Sequence, residues 1–408
     1  MLTLLLHYCK KRMFNAKGEC LIDCAMKKIR ILEGIRQGKI GGGESYLLGL
    51  VENLDREHFE PVVLSFTDGP MVDRLRAQGI ETHVLYTETA FDIRVWKKVK
   101  NLMADLDIDI VHAHGTRACS NMFWAARRLR LPMIYTCHAW SFHLDQHLLV
   151  KKMRIWGEDF LTSRMDMNIC GCEANKNTGK QLFRNFDAVV INNSIDSRRF
   201  NPYGEYKDVR AELGIGKEEL VIVSVARFTS QKQPLKLIRA FARLSEQVSN
   251  ARLLMIGDGE EKEAAIKLIG SLGIGGKVIL QPFRQDIPDV LAASDIYVLP
   301  SLWEAFPIAL LEAMSMGKAV IGTNVDGTPE IIRDQENGLL IGIEDLEAGL
   351  EKALMELSTD RELRERLQQN AIRSIYNKYT VENLARKNEN IYRELVRPIP
   401  LVKNPVIG

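Results

Sequence analysis

Glu304 and Glu312 stand in the segment PSLWEAFPIALLEAMSMGKAVIGT, between a strand-like run, DIYVLP (Asp295 to Pro300), and a helix that Gly317 should stop. Pro307 suits the first helical position, where its missing N–H costs nothing. On this reading Glu304 lies on the loop facing the helix N-terminus and Glu312 lies inside the helix. The two carboxylates then flank a group of unpaired backbone N–H groups carrying partial positive charge. A diphosphate would settle there, and hydroxyls on either side of it would each find an ionised acceptor. A nucleotide-sugar has that layout, with sugar hydroxyls at one end of its diphosphate and ribose hydroxyls at the other. Glutamates near a helix start are also ordinary capping residues, so the spacing alone does not separate the two readings.

Other residues offer related chemistry. Arg227 and Lys232 in VARFTSQKQP lie between a strand and a helix, where both could reach one diphosphate. Arginine grips two oxygens and lysine adds a point charge, so together they would stabilise a departing nucleoside diphosphate without a metal ion. Gly41, Gly42 and Gly43 in KIGGGESYLL open onto a helix expected near Glu44. They permit either close backbone approach to a phosphate or simply a tight strand-to-helix turn, and their spacing is not G-x-G-x-x-G. His138 ends the apolar run PMIYTCH and could donate a hydrogen bond to a transferred sugar or its phosphate. His112 and His114 in IVHAH alternate toward one face, but no third zinc ligand stands at a diagnostic spacing, so structural histidines are the favoured reading. Asp107 and Asp109 form a D-x-D that leads straight into that strand, which helix-to-strand turn chemistry explains better than metal binding.

Elements must position these residues. The 408 residues exceed one ordinary core and suit two domains of nearly equal size. From Lys28 onward, strand-like runs (IRIL, PVVLSF, THVLY, IDIVHAH, PMIYTCH, MNICGC, AVVINN) alternate with amphipathic stretches, which implies βαβ units and a parallel sheet. A polar break over Ser194 to Glu219 follows, and a second series opens with LVIVSVA and continues through ARLLMIG, KVILQP, DIYVLP, AVIGT and GLLI. We therefore expect an α/β protein of two doubly wound parallel-sheet domains facing a central cleft. The expected boundaries are 26–196 for the first domain and 197–385 for the second, with a terminal helix and loose tail over 386–408. Ligands of open α/β sheets bind beyond the strands' carboxyl ends, and Gly41, His138, Arg227 and Glu304 all follow strand-like runs.

Hydrophobic residues at 46% and charged residues at 26% describe a globular chain, and a net charge of +2 gives no global drive toward nucleic acid. Local basic clusters, RVWKKVK (Arg94 to Lys100), RRLR (Arg127 to Arg130) and KKMR (Lys151 to Arg154), all precede residue 160. Solvated helix faces are the favoured reading, and peripheral contact with an anionic membrane is the other. The seven cysteines lack zinc or disulfide-framework spacing, which suits reduced thiols and a cytoplasmic setting. Residues 1–25 resemble neither a spanning helix nor a signal peptide, and are expected to lie outside the fold ahead of MKKIRILEG.

Taken together, the pieces GGGES, DIVHAH, TCHAW, VVINNSIDSRRF, VARFTSQKQP, LLMIGDGEE and SLWEAFPIALLEAMSMGKAVIGTNVDGTPEII resemble, in order, the retaining glycosyltransferases of family 4. That family has the two-domain GT-B fold of paired Rossmann-like units, and the resemblance covers most of Lys28 to Tyr392. It implies that Arg227 and Lys232 bind the donor diphosphate, that Glu304 contacts the donor sugar and that Glu312 holds the ribose. It further implies that backbone N–H groups from Phe306 to Ile308 join them, that Gly42 approaches the phosphate and that His138 lies beside the transferred sugar. The implied donor is a UDP- or GDP-sugar, used as substrate, with no cofactor and no metal. The implied acceptor is a glycan or lipid-linked hydroxyl in polysaccharide or cell-envelope assembly. Trp140, Phe142 and His143 are expected to shape the acceptor pocket. The chain departs from the usual pattern where Ala305-Phe306-Pro307 replaces Gly-Phe-Gly, where NNSID replaces PNGVD and where QKQP replaces lysine-glycine. The same constellation would also suit a nucleotide-sugar epimerase, which needs no acceptor, or a non-catalytic nucleotide-sugar-binding protein.

Overall fold

The computed structural model describes residues 13–14, 20–21, 27–39, 41–142, 147–376 and 378–396. Within residues 1–25 it places only Met13–Phe14 and Cys20–Leu21, which pair antiparallel. The remaining expectations for that segment, for His143 and for the tail lie outside the described residues. Two compact units are found: one comprises residues up to Cys137, Ser141–Ile169 and those from Ala385, the other His138–Trp140 and Cys170–Leu384.

The first sheet contains β1 (Ile29–Ile35), β2 (Phe59–Ser65), β3 (Thr82–Val84), β4 (Ile110–His114), β5 (Met133–Cys137), β6 (Met167–Cys170) and β7 (Val189–Val190). Their order is β3-β2-β1-β4-β5-β6-β7, with parallel register from β3 to β5. The second sheet contains β8 (Leu220–Val225), β9 (Ala251–Ile256), β10 (Val278–Gln281), β11 (Ile296–Leu299), β12 (Ala319–Thr323) and β13 (Leu339–Ile341). It runs β10-β9-β8-β11-β12-β13, parallel throughout. Both orders reverse direction beside their first strand, between β1 and β4 and between β8 and β11. Those are the points at which helices on opposite faces leave a crevice at the carboxyl ends.

Burial on both faces explains the near-continuous apolar runs. In the second sheet Ile222, Leu253, Met255, Ile296, Val298 and Ile321 pack with helices Pro234–Gln247 and Leu346–Thr359 on one side. Their chain neighbours Val221, Val223, Leu254, Ile256, Tyr297 and Val320 pack with helices Ile308–Ser315 and Arg361–Tyr376 on the other. The alternation is the two-residue period of a strand expressed as two cores.

Candidate functional site

The second sheet's reversal point gathers the charged candidates. Ala226 and Phe228 continue from β8 and are held against the neighbouring loop by Ala226 N–H to Ile256 O at 3.1 Å and Phe228 N–H to Asp258 O at 3.0 Å. Gly257 makes this approach feasible: its φ is 143°, and a Cβ there would lie 2.1 Å from Ala226 O. Arg227 is thereby left exposed, and it lines one hollow with Lys232, Ser224, Phe228 and Pro234. Lys232 closes a short 3₁₀ turn, Ser230–Lys232, which is tied to the β11 side by Leu302 N–H to Gln231 O at 2.8 Å and Gln231 Nε2 to Trp303 O at 2.7 Å. Gln233, where the family pattern has glycine, adopts the left-handed conformation (φ 51°) just before Pro234 starts its helix.

The loop after β11 carries Glu304 onto Lys232. Glu304 Oε1 accepts from Lys232 Nζ and, at 2.7 Å, from the buried Ser301 Oγ. Both partners of the ion pair are largely shielded from solvent, at 16% and 11% side-chain exposure, so water screens it less than it would a surface pair. Oε2 has no partner among the described residues and remains for a ligand. The lysine ammonium has three donors, so it can hold Glu304 and still bind an incoming phosphate. Glu304 N–H donates to Asp326 Oδ2 at 2.9 Å, and Gly327 N–H donates to Glu304 O at 3.2 Å. Gly327 allows this contact because a Cβ there would stand 1.9 Å from Ala305 O. Ser301, Asp326 and Gly327 are positioning residues that the sequence did not single out.

Helix Ile308–Ser315 follows, ended by Gly317 at φ 66° with Lys318 N–H to Ala313 O at 3.0 Å. One expectation shifts here. Pro307 is the cap, with extended ψ of 112°, instead of the first helical residue, and no side chain caps this end. Phe306 is anchored by its ring, buried 5.5 Å from Tyr379, and by its carbonyl, which accepts from Asn193 Nδ2 at 2.7 Å. Ile308 is the first residue of the helix, and its N–H has no helical partner.

Glu312 lies within that helix. Its carboxyl has no hydrogen bond or ion pair among the described residues, and crowding by protein atoms pushes it up to about 7, with only the Arg199 charge opposing. Part of the side chain still reaches solvent. Both glutamates bear on one buried hydroxyl: Tyr297 is raised well above its ordinary value by burial, then by Glu312 and Glu304. An unpartnered carboxylate held in a crowded place is the kind of local cost that functional sites carry.

The remaining candidates follow strands of the first sheet. Gly41 is the extended cap of helix Gly42–Asn53, which starts two residues before the expected Glu44. A Cβ at Gly41 would lie 2.9 Å from Glu44 Oε2, whereas one at Gly42 would meet nothing within 4 Å. His138 directly follows β5, is half-buried, and groups with the second unit. Trp140 and Phe142 are buried, Trp140 edge-on to Phe183 and Phe186 with Nε1 donating to Asn175 O at 3.0 Å, so its ring is core and not pocket wall.

His112 and His114 have a third neighbour that sequence spacing could not reveal, because Glu33 reaches them from β1 across the sheet. His114 Nε2 is 2.8 Å and His112 Nδ1 3.2 Å from Glu33 Oε2. Tyr392 OH donates to Glu33 Oε1 at 2.8 Å and lies 2.6 Å from His112 Nδ1, while Thr136 Oγ1 is 2.7 Å from His112 Nε2. Burial would raise the Glu33 carboxyl, but His112 and His114 outweigh it and hold it low, and burial pulls His114 down. These atoms satisfy one another and tie Tyr392 to β1 and β4. Asp107 and Asp109 are likewise engaged by Lys27 Nζ, at 3.1 Å each.

Comparison with known proteins identifies the family and the fold. Residues 40–199 match the family described as Glycosyltransferase Family 4, and residues 205–374 match Glycosyl transferases group 1. The UDP-Gal:alpha-D-GlcNAc-diphosphoundecaprenol alpha-1,3-galactosyltransferase of Escherichia coli is 27% identical over 380 residues, 90% of this chain and 98% of that one. The N-acetyl-alpha-D-glucosaminyl L-malate synthase of Bacillus anthracis is 25% identical over 325 residues, 78% of this chain and 83% of that one. Anabaena HepE, solved in complex with UDP and glucose, superposes with a TM-score of 0.78 at 21% identity, covering 90% of this chain and 100% of that one.

Proposed function

The chain belongs to the group 1, family 4 glycosyltransferases, with the two-domain GT-B fold, and we propose that it moves a sugar from a nucleoside diphosphate to an acceptor hydroxyl with the anomeric configuration retained. The observation that carries this reading is the pairing of Lys232 with Glu304 beside Arg227, at the reversal point of the second sheet, with the unpartnered Glu312 on the adjoining helix. Arg227 and Lys232 grip the diphosphate. The Ile308 N–H points a helix dipole at it, Glu304 Oε2 accepts from a sugar hydroxyl, and Glu312 accepts from the ribose. His138 and the backbone at Gly41 and Gly42 serve the transferred sugar and its phosphate. The bond from the anomeric carbon to the diphosphate breaks as the acceptor oxygen bonds that carbon on the same face, and the acceptor proton passes to the departing phosphate oxygen. The two cations supply the charge stabilisation that a metal ion would otherwise provide.

A UDP-sugar donor is supported by the galactosyltransferase relative, whose name also specifies a lipid-linked diphosphate acceptor. The setting proposed is glycan assembly on the cytoplasmic side of a membrane, touched peripherally through the first unit. Among the described residues no helix is long and apolar enough to cross one. The test is a panel of UDP-, GDP- and ADP-sugars followed by thermal shift and by slow donor hydrolysis. Stabilisation by one nucleotide-sugar, abolished in Glu312→Ala, is expected. Absence of any nucleotide effect overturns the reading, and rearranged nucleotide-sugar formed without acceptor would assign the protein to epimerases instead.

A further inference from the structure

In the first unit, helices Ile93–Asp105, Thr116–Leu129 and Leu148–Thr162 carry a surface that the transfer reaction does not use. Helix Leu148–Thr162 turns its apolar stripe outward over its first half: Leu148 is 73%, Leu149 66%, Met153 72% and Trp156 66% exposed. Leu149, Met153 and Trp156 fall four and then three residues apart, on one face. The stripe runs into a groove of about 300 Å³ lined by Phe91, Trp96, Phe123, Trp124, Trp156 and Phe160 along with Ser120. Trp96 stacks on Trp124 at 5.9 Å and Trp156 on Phe160 at 5.8 Å, so the walls are aromatic and almost wholly apolar. Soluble chains rarely leave such a continuous patch exposed. Phe91, at the groove, is also held at φ 56°, a conformation bulky side chains avoid, by Phe91 N–H to Ser120 Oγ at 3.1 Å and Asp92 N–H to Asn121 Oδ1 at 2.7 Å.

Charge identifies the occupant. The chain as a whole is nearly neutral at +2, yet these three helices carry ten lysines and arginines against three carboxylates, and two of those, Glu158 and Asp159, are buried. The guanidiniums of Arg127, Arg128 and Arg164 lie over the rings of Phe123, Trp124 and Phe160 at 5.8, 5.5 and 4.1 Å from their centres. Lys151, Lys152 and Arg154 interleave with the exposed stripe. Apolar anchors surrounded by cations match a layer whose outside is anionic and whose inside is hydrocarbon. We propose that this face docks on an anionic lipid bilayer, with Leu149, Met153 and Trp156 inserted below the headgroups and one hydrocarbon chain entering the aromatic groove. The inference deepens the peripheral contact proposed above and is tested independently of nucleotide-sugar binding.

The test is co-sedimentation of the full chain with vesicles of phosphatidylcholine alone and of phosphatidylcholine with phosphatidylglycerol, at low and high salt. Binding to the anionic vesicles, weakened by salt, is expected, as is quenching of tryptophan fluorescence by lipids brominated along their chains. Leu149→Asp with Met153→Asp should weaken vesicle binding about 100-fold, and Trp156→Phe should retain it. Nucleotide-induced thermal stabilisation should be unchanged in both, which reports that they fold. Equal pelleting of the double variant, failure of every vesicle to bind, or a concentration-dependent dimer abolished by Met153→Asp overturns the proposal; the last would assign the face to a second copy of the chain.

Discussion

Replacing Glu312 by glutamine should stabilise the unliganded protein while weakening its grip on nucleotide, and the stabilisation should depend on pH in a defined direction. Crowding raises the folded-state carboxyl from 4.5 to about 7. A carboxyl whose folded value lies above its unfolded value prefers to be protonated in the fold, so its penalty is absent below about pH 4.5, grows between there and 7, and is complete above. A shift of that size, at about 1.4 kcal/mol per unit, corresponds to about 3 kcal/mol as a ceiling, lowered by the side chain's residual contact with solvent. Glutamine keeps the shape and cannot ionise. The Glu312→Gln variant should therefore unfold a few degrees, and at most roughly 10 °C, above the parent at pH 8, and at nearly the same temperature at pH 4.5, for a domain of this size. Scanning fluorimetry of both proteins across this pH range measures it. A difference that does not change with pH, or a variant less stable at pH 8, would refute the crowded, unpartnered carboxyl on which the argument rests. In the parent, donor affinity should rise as pH increases from 6 to 8, because the ionised form accepts the stronger hydrogen bonds.

Three other outcomes are expected. Lys232→Ala removes the charged partner of Glu304 and one phosphate donor, and should weaken UDP binding in calorimetry by about 10- to 100-fold. Gly327→Ala drives a methyl against Ala305 O, so the Glu304 loop must move; transfer should fall at least 10-fold in a steady-state assay, while circular dichroism stays that of a folded chain. Tyr392→Phe removes the bonds to Glu33 and His112 without changing volume, and should cost about 1–3 kcal/mol in denaturant unfolding, with nucleotide affinity preserved.

Much of this architecture was legible in sequence because doubly wound sheets write themselves as buried apolar runs with helical spacers, and every strand from β1 to β13 coincides with such a run. Glu304, Arg227 and Lys232 were legible as residues just past strand ends, the location at which one chain's loops converge. Their mutual arrangement was not: that Lys232 bonds Glu304 depends on the Gln231–Trp303 and Gly327–Glu304 contacts, between segments distant in the chain. Glu33 shows the same limit, since it meets His112 through parallel strand register and no local spacing encodes that. Pro307 misled by one residue because its fixed φ fits both a cap and a first helical turn, and only ψ separates them. Trp140 misled because an aromatic after a strand suits a pocket or a core equally, and the partners Phe183 and Phe186 that settle it lie forty residues on.

The most direct measurement is a crystal structure of the protein soaked with UDP. The account predicts the diphosphate within hydrogen-bonding distance of the Arg227 guanidinium, Lys232 Nζ and the Ile308 N–H, with the ribose hydroxyls on Glu312. Nucleotide density away from these four groups, or at them with the ribose turned from Glu312, would contradict it.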